Sequence, residues 1–166
     1  MTRVPLALVT GPMDHVGSAG AALGRAGFDV MSWEVATPPA PAGPNRRSFA
    51  GIQRKSNAGS GPDRPLDCYV QLPCRTGDVG GSAQTAGSDL LDRIDALAAV
   101  AARLGPTASV LLGVDETDPA PVGTGRLAPD LLAAVALALL EDLGRPAARV
   151  AVLPVADLCR APVGAD

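Results

Sequence analysis

Four apolar stretches punctuate the chain: Leu6 to Val9, Leu66 to Leu72, Ser109 to Val114 and Arg149 to Val155. They are too short for helices and show little apolar/polar alternation, as expected of strands buried on both faces of a parallel sheet. The first run leaves through Thr10-Gly11. Residues 17 to 26 read as an Ala/Gly-rich helix closed by Gly27, and Phe28 to Val35 as a second strand, giving a β-α-β opening. Further on, Ser88 can cap a helix running to Leu104, with Asp89 and Asp92 in its first turn and Gly105-Pro106 as its stop. Pro129 suits the first turn of a helix to Leu143, closed by Gly144. Because crossovers between parallel strands are right-handed, this order of elements predicts helices on both faces of the sheet. The expected fold is an α/β, Rossmann-like three-layer sandwich with a mostly parallel sheet.

Two segments break the pattern. From Thr37 to Pro65 six prolines mix with Gly, Ser, Asn and a basic cluster of Arg46, Arg47, Arg54, Lys55 and Arg64. So few apolar residues do not offset the entropy of ordering, and 37–65 is expected to be a flexible loop. The Gly, Ser and Thr of 75–87 predict a second one. With 166 residues, 47% of them hydrophobic, the chain suffices for one core, and residues 1–166 are expected to form a single domain.

Composition narrows the function classes. A net charge of −3 argues against a broad nucleic-acid footprint, which needs clustered cations in excess. The longest uncharged apolar run, Leu131 to Leu140, is too short to span a bilayer, and the opening residues lack a signal-peptide pattern. A cytoplasmic protein is expected, with Cys68, Cys74 and Cys159 as reduced thiols and no metal site, since their spacing is not that of paired ligands. Abundant Ala, Arg, Gly and Pro beside a single Lys is the usage of a GC-rich genome.

The segment Val4 to Val30, with Thr10, Gly11 and Gly17, resembles the nucleotide-binding opening of the short-chain dehydrogenase/reductase family, Thr-Gly-x-x-x-Gly-x-Gly. Leu131 to Pro154 is similar to that family's fifth long helix and sixth strand, and Leu66 to Gln71 and Ser109 to Val114 stand where its fourth and fifth strands would be. The resemblance implies a shortened member whose third strand and flanking helices have collapsed into the 37–65 loop. It also implies NADP(H) as cofactor, held by Thr10, Gly11 and Gly17. However, His15 occupies the middle glycine, where a side chain crowds the backbone approach to a pyrophosphate, so no cofactor is the expectation. Gln71-Leu72-Pro73-Cys74 replaces the family's Asn-Asn-Ala-Gly, and Val114 or Asp115 its catalytic Ser. Counting back from Asp142-Leu143-Gly144 puts the family's Tyr on Gly125 and its Lys on Pro129. The chain has one Tyr, Tyr69, and one Lys, Lys55, and they form no Tyr-x-x-x-Lys pair, so the family's proton donor is absent.

The expected function is therefore a non-catalytic partner subunit. Leu131 to Leu140 is apolar around its whole circumference, more than one sheet face can cover. In the family this helix and the one matching Ser88 to Leu104 make the subunit interface. The resemblance thus implies a homo- or hetero-oligomer with a reductase of this family through Leu90, Leu91, Ile94, Leu97, Leu137 and Leu140. Ketoreduction in polyketide or other secondary metabolism is the expected setting. One alternative is a dehydratase, cyclase or isomerase using Asp115, His15 or Cys74 in the crevice; Asp115 belongs to an acidic cluster with Glu116 and Asp118. A module that binds a nucleotide or acyl ligand without turnover is the other alternative, and the basic cluster offers a dock for an acidic partner.

Overall fold

The computed structural model describes residues 3–35, 52–56, 64–73, 83–114 and 129–160. Strand β1 (Leu6–Gly11) leads into helix α1 (Met13–Arg25) and strand β2 (Asp29–Val35). Strands β3 (Ile52–Ser56) and β4 (Leu66–Gln71) follow, then α2 (Ala83–Ala101), β5 (Leu104–Val114), α3 (Pro129–Asp142), β6 (Arg149–Pro154) and the short α4 (Val155–Cys159). The six strands form one sheet in the order β3-β2-β1-β4-β5-β6. Every pairing is parallel except that of β3 with β2. The Rossmann-like α/β sandwich expected from the pattern of apolar runs is the fold.

Side-chain alternation along the strands divides the core into two layers. Leu6, Leu8, Met31, Leu66, Tyr69, Val110 and Leu112 face α2 and α3, meeting Leu97, Val100, Leu132, Ala136 and Leu140. Ala7, Val9, Cys68 and Val70 face the other way, against Val16 and Ala19 of α1 and Leu158 of α4. All six residues of β1 are buried, as the central strand of a doubly covered sheet must be. Helices α1 and α3 end as anticipated, on Gly27 and Gly144 at φ of +91° and +74°, the left-handed turn that glycine enters without a steric penalty.

Four expectations are corrected. The segment 37–65 is not loop throughout, because β3 pairs antiparallel with β2, joining Lys55 to Ser32 and Arg54 to Trp33. An edge strand needs backbone hydrogen bonds on one side only, and cationic residues suit an edge, so no apolar run announces it. The segment 75–87 likewise includes the start of α2 at Ala83, which moves the helix start ahead of Ser88. At its other end α2 stops at Ala101, and Gly105-Pro106 lie inside β5 instead of terminating a helix. Leu104 pairs with Leu66 and Ser109 with Cys68, so β5 has an irregularity there that accommodates a residue unable to donate a ladder hydrogen bond. Finally, Leu97 and Leu140, expected at a subunit interface, are 2% and 1% exposed and belong to the core. They share helix faces with Val100 and with Leu132 and Ala136, and those faces cover the sheet.

Candidate functional site

Helix α1 follows β1 onto one face of the sheet and α2 follows β4 onto the other, so the connections from the carboxyl ends of the neighbouring strands β1 and β4 lead to opposite faces. Open α/β sheets place their ligands at such a switch point. The residues there are Thr10 and Gln71, which pair across the two strands. Both are buried, at 7% and 4% exposure, in a position otherwise occupied by apolar side chains.

A hydrogen-bonded group joins them on the α2/α3 face. The Tyr69 hydroxyl lies 3.0 Å from Thr10 Oγ1 and accepts from Gln71 Nε2 at 3.3 Å. Gln71 Nε2 also donates to the backbone carbonyl of Arg93 on α2, at 3.1 Å. Because that carbonyl can only accept, the amide's orientation is set: its nitrogen faces α2 and its Oε1 faces away. Oε1 is buried and has no protein partner. Arg93 is itself 7% exposed and donates from Nη1 to the Gly113 carbonyl at the end of β5, at 2.8 Å. One strand away from Thr10 on the other side, Trp33 pairs with it in register, and its buried indole Nε1 has no partner either. The carboxyl ends of β2, β1, β4 and β5 thus carry a polar row that includes a donor, Trp33 Nε1, and an acceptor, Gln71 Oε1, without protein partners.

Beside Gln71 and Arg93 a cleft opens between α2 and α3, walled by Ile94, Leu97, Leu112, Leu132, Val135 and Ala136. Its empty space is about 200 Å³ including open solvent at the mouth, of which about 10 Å³ is available to the centre of a water, room for roughly one molecule in all.

The opposite face of the switch point is filled. A side chain on Gly11 would meet Leu72 Cβ at 2.6 Å, so the glycine is needed for the close approach of Leu72, which is 2% exposed. Its amide donates to the Thr10 carbonyl at 2.8 Å, closing the strands together. A dinucleotide site needs a glycine loop between strand and helix, whereas here Pro12 alone separates β1 from α1. His15 is already helical, its amide bonded to the Pro12 carbonyl at 3.1 Å, and a side chain at Gly17 would meet nothing within 4 Å. Thr10, Gly11 and Gly17 do not make a pyrophosphate cradle.

Of the three candidate catalytic residues, His15 alone falls among the described residues; Asp115 and Cys74 lie outside them, as do Glu116 and Asp118. His15 is partly buried in the first turn of α1, and its carbonyl faces Cys159 Sγ of α4 at 3.9 Å. It belongs to the α1/α4 layer, across the sheet from the polar row, and is not brought together with Gln71 and Arg93. The single Tyr, at position 69, is 0% exposed with its hydroxyl engaged, and Lys55 stands three strands away on β3. Burial raises the Cys68 thiol from 9.0 to about 11, with the Asp67 carboxylate adding to the effect, and burial also pushes Cys159 up. Neither thiol is thereby made a better nucleophile at neutral pH. Arg64, from the basic cluster, is held by the Val4 carbonyl and by Asp29.

The expected interface divides. Leu91 and Leu137 are 64% and 48% exposed, Leu90 and Ile94 are partly buried, and Leu97 and Leu140 are core. Two leucines outside the expected set, Leu131 and Leu143, are 50% and 44% exposed. Sequence reasoning also missed Gln71, Arg93 and Trp33 as site residues. The available signal was a glutamine at the end of an otherwise apolar strand and an arginine in phase with Leu97 on α2.

No helix among the described residues is long and apolar enough to cross a membrane, and no cluster of metal-ligating side chains occurs among them. Compared with models of protein families, with curated proteins and with solved structures, the chain matches none.

Proposed function

We propose that this protein is a non-catalytic Rossmann-like subunit that pairs through the outer faces of α2 and α3 with a reductase of the short-chain dehydrogenase class. The reading is carried by the exposure of Leu91, Leu131, Leu137 and Leu143, on or just after two helices that cover the same side of the sheet. Large apolar side chains concentrated on one side of a domain favour association, because pairing removes them from water. Between Leu131 and Leu137 the outward positions of α3 are Ala134 and, just beyond, Ala138, small enough to let another helix approach. The burial of the single phenol, and its distance from the single lysine, supports a role without hydride-transfer chemistry. Ketoreduction in secondary metabolism is the setting in which such a partner is sought first.

The test is co-expression with a full-length reductase from the same gene neighbourhood, followed by co-purification and mass determination by light scattering. A stable complex that is lost in Leu91→Glu/Leu137→Glu supports the reading. A chain that remains monomeric and unbound with every such reductase, or that turns over a substrate by itself, overturns it.

A further inference from the structure

On the reading that α2 and α3 pair through their outer faces, we infer that these faces accept a different chain, whose contact surface is an apolar stripe edged with Lys and Arg, and reject a second copy of this one. Each exposed leucine has an acidic neighbour. Asp95 stands one helical turn after Leu91 and Glu141 one turn after Leu137, a spacing that puts both members of each pair on one stripe. Asp130 and Asp142 directly precede Leu131 and Leu143. All four acidic residues are exposed, and none forms an ion pair among the described residues. No cation of the two helices balances them. Their single basic residue, Arg93, is 7% exposed and donates to the Gly113 carbonyl. Beyond the helix ends, Arg145 is held by the carbonyls of Ala101 and Ala102, and Arg103 reaches Met31 of the sheet.

The choice of partner follows from symmetry and charge. A two-fold pairing draws both sides of the contact from the same residues. With a second copy, the leucines would meet leucines, but Asp95, Asp130, Glu141 and Asp142 would then face only one another. Like charges brought together oppose the contact, and this repulsion selects against the wrong partner. A different chain with cations beside its own apolar stripe keeps the burial of the leucines and replaces repulsion by attraction.

Two amphipathic helical peptides with the same leucine stripe, one edged with lysines and the other with glutamates, separate charge from apolar burial. Each is titrated at low salt into the isotope-labelled chain while the amide resonances of Leu91, Asp95, Leu137 and Glu141 are followed. The lysine peptide should give saturable shifts there, with affinity at least about 10-fold above the glutamate peptide, as several weak surface pairs would supply. Most of that preference should vanish near 1 M salt, where the screening length is about 3 Å. Asp95→Asn/Glu141→Gln should lower the affinity for the lysine peptide about 3- to 10-fold, and Leu91→Gln/Leu137→Gln should lower it at least as much. Equal affinities for the two peptides, or lysine-peptide binding untouched by the leucine replacements, would overturn the inference. So would sedimentation of the native chain at low salt as a dimer that Leu91→Gln/Leu137→Gln dissolves. The pairing reading fails separately: if no reductase co-purifies while the lysine peptide binds as described, the charge rule stands and the reductase is the wrong partner.

Discussion

Replacing Tyr69 by Phe asks whether the only phenol in the chain holds the core together or performs chemistry. The ring is fully buried between the sheet and α2, so the substitution keeps its packing and removes one oxygen. That oxygen lies 3.0 Å from Thr10 Oγ1 and takes a hydrogen bond from Gln71 Nε2 at 3.3 Å. Gln71 retains its bond to the Arg93 carbonyl, but one of its two amide hydrogens loses its acceptor in a buried position. A net hydrogen bond contributes about 0.5–1.5 kcal/mol, and a buried polar group left unpaired costs about 1–3 kcal/mol. The native state should therefore lose roughly 2 kcal/mol. With a urea slope of about 2 kcal/mol per molar, the midpoint falls by roughly 1 M, the slope staying the same. Circular dichroism through a urea titration measures it, beside an NADPH-oxidation assay of both proteins. A midpoint change below about 0.2 M refutes the structural role. Loss of a reductase activity that the native protein possesses refutes the non-catalytic reading as well.

The two glycines Gly11 and Gly17 should respond oppositely to alanine: Gly11→Ala meets Leu72 Cβ and costs at least about 2 kcal/mol, which Leu72→Ala does not restore because alanine keeps that Cβ, whereas Gly17→Ala in open space within α1 gains about 0.5–1 kcal/mol. Thermal denaturation of the three variants checks this, and equal losses at the two positions would contradict it. The thiol of Cys68 gives a pH dependence, since its folded value of about 11 exceeds the ordinary 9.0. The native state favours the neutral thiol, so this contribution is fully present below pH 9 and disappears as pH rises through 11. It amounts to roughly 3 kcal/mol, and urea midpoints between pH 8 and 11 should fall more steeply for the native protein than for Cys68→Ala; parallel curves would show that burial does not act this way. Leu91→Glu/Leu137→Glu should weaken association on the order of 100-fold by sedimentation while leaving the urea midpoint of the single chain within about 0.3 M, because both side chains are exposed.

What the amino-acid pattern reveals about this molecule depends on how much each element buries. Strands β1, β4, β5 and β6 sit among helices, and their apolar runs declared them. The β3 edge strand pairs with a neighbour on one side only, and its Ile52-Gln53-Arg54-Lys55-Ser56 has no apolar run to declare it. Proline misled at residue 106 because a bulged strand tolerates it as readily as a helix end does. Composition alone placed the leucine excess on α3, yet it could not say which leucines face the sheet. That follows from the phase of Leu132, Ala136 and Leu140 against β5 and β6, which leaves Leu131 and Leu137 outside.

The site was legible only in its location. A Rossmann-like order of elements puts the crevice at the carboxyl ends of β1 and β4, where Thr10 and Gln71 meet, but the motif that marked the place turned out to serve packing. Gly11 admits Leu72, and the turn to α1 is a single proline. On the other face, Thr10, Tyr69, Gln71 and Arg93 offer hydroxyls, an amide and a guanidinium. Such groups recognise and orient, and none of the four is a base at neutral pH. His15 stands on the far side of the sheet from them, so an enzyme built on His15 and one built on the polar row would need different substrate positions. Neither set of groups is needed for the proposed pairing, which rests on the exposed leucines of α2 and α3 alone.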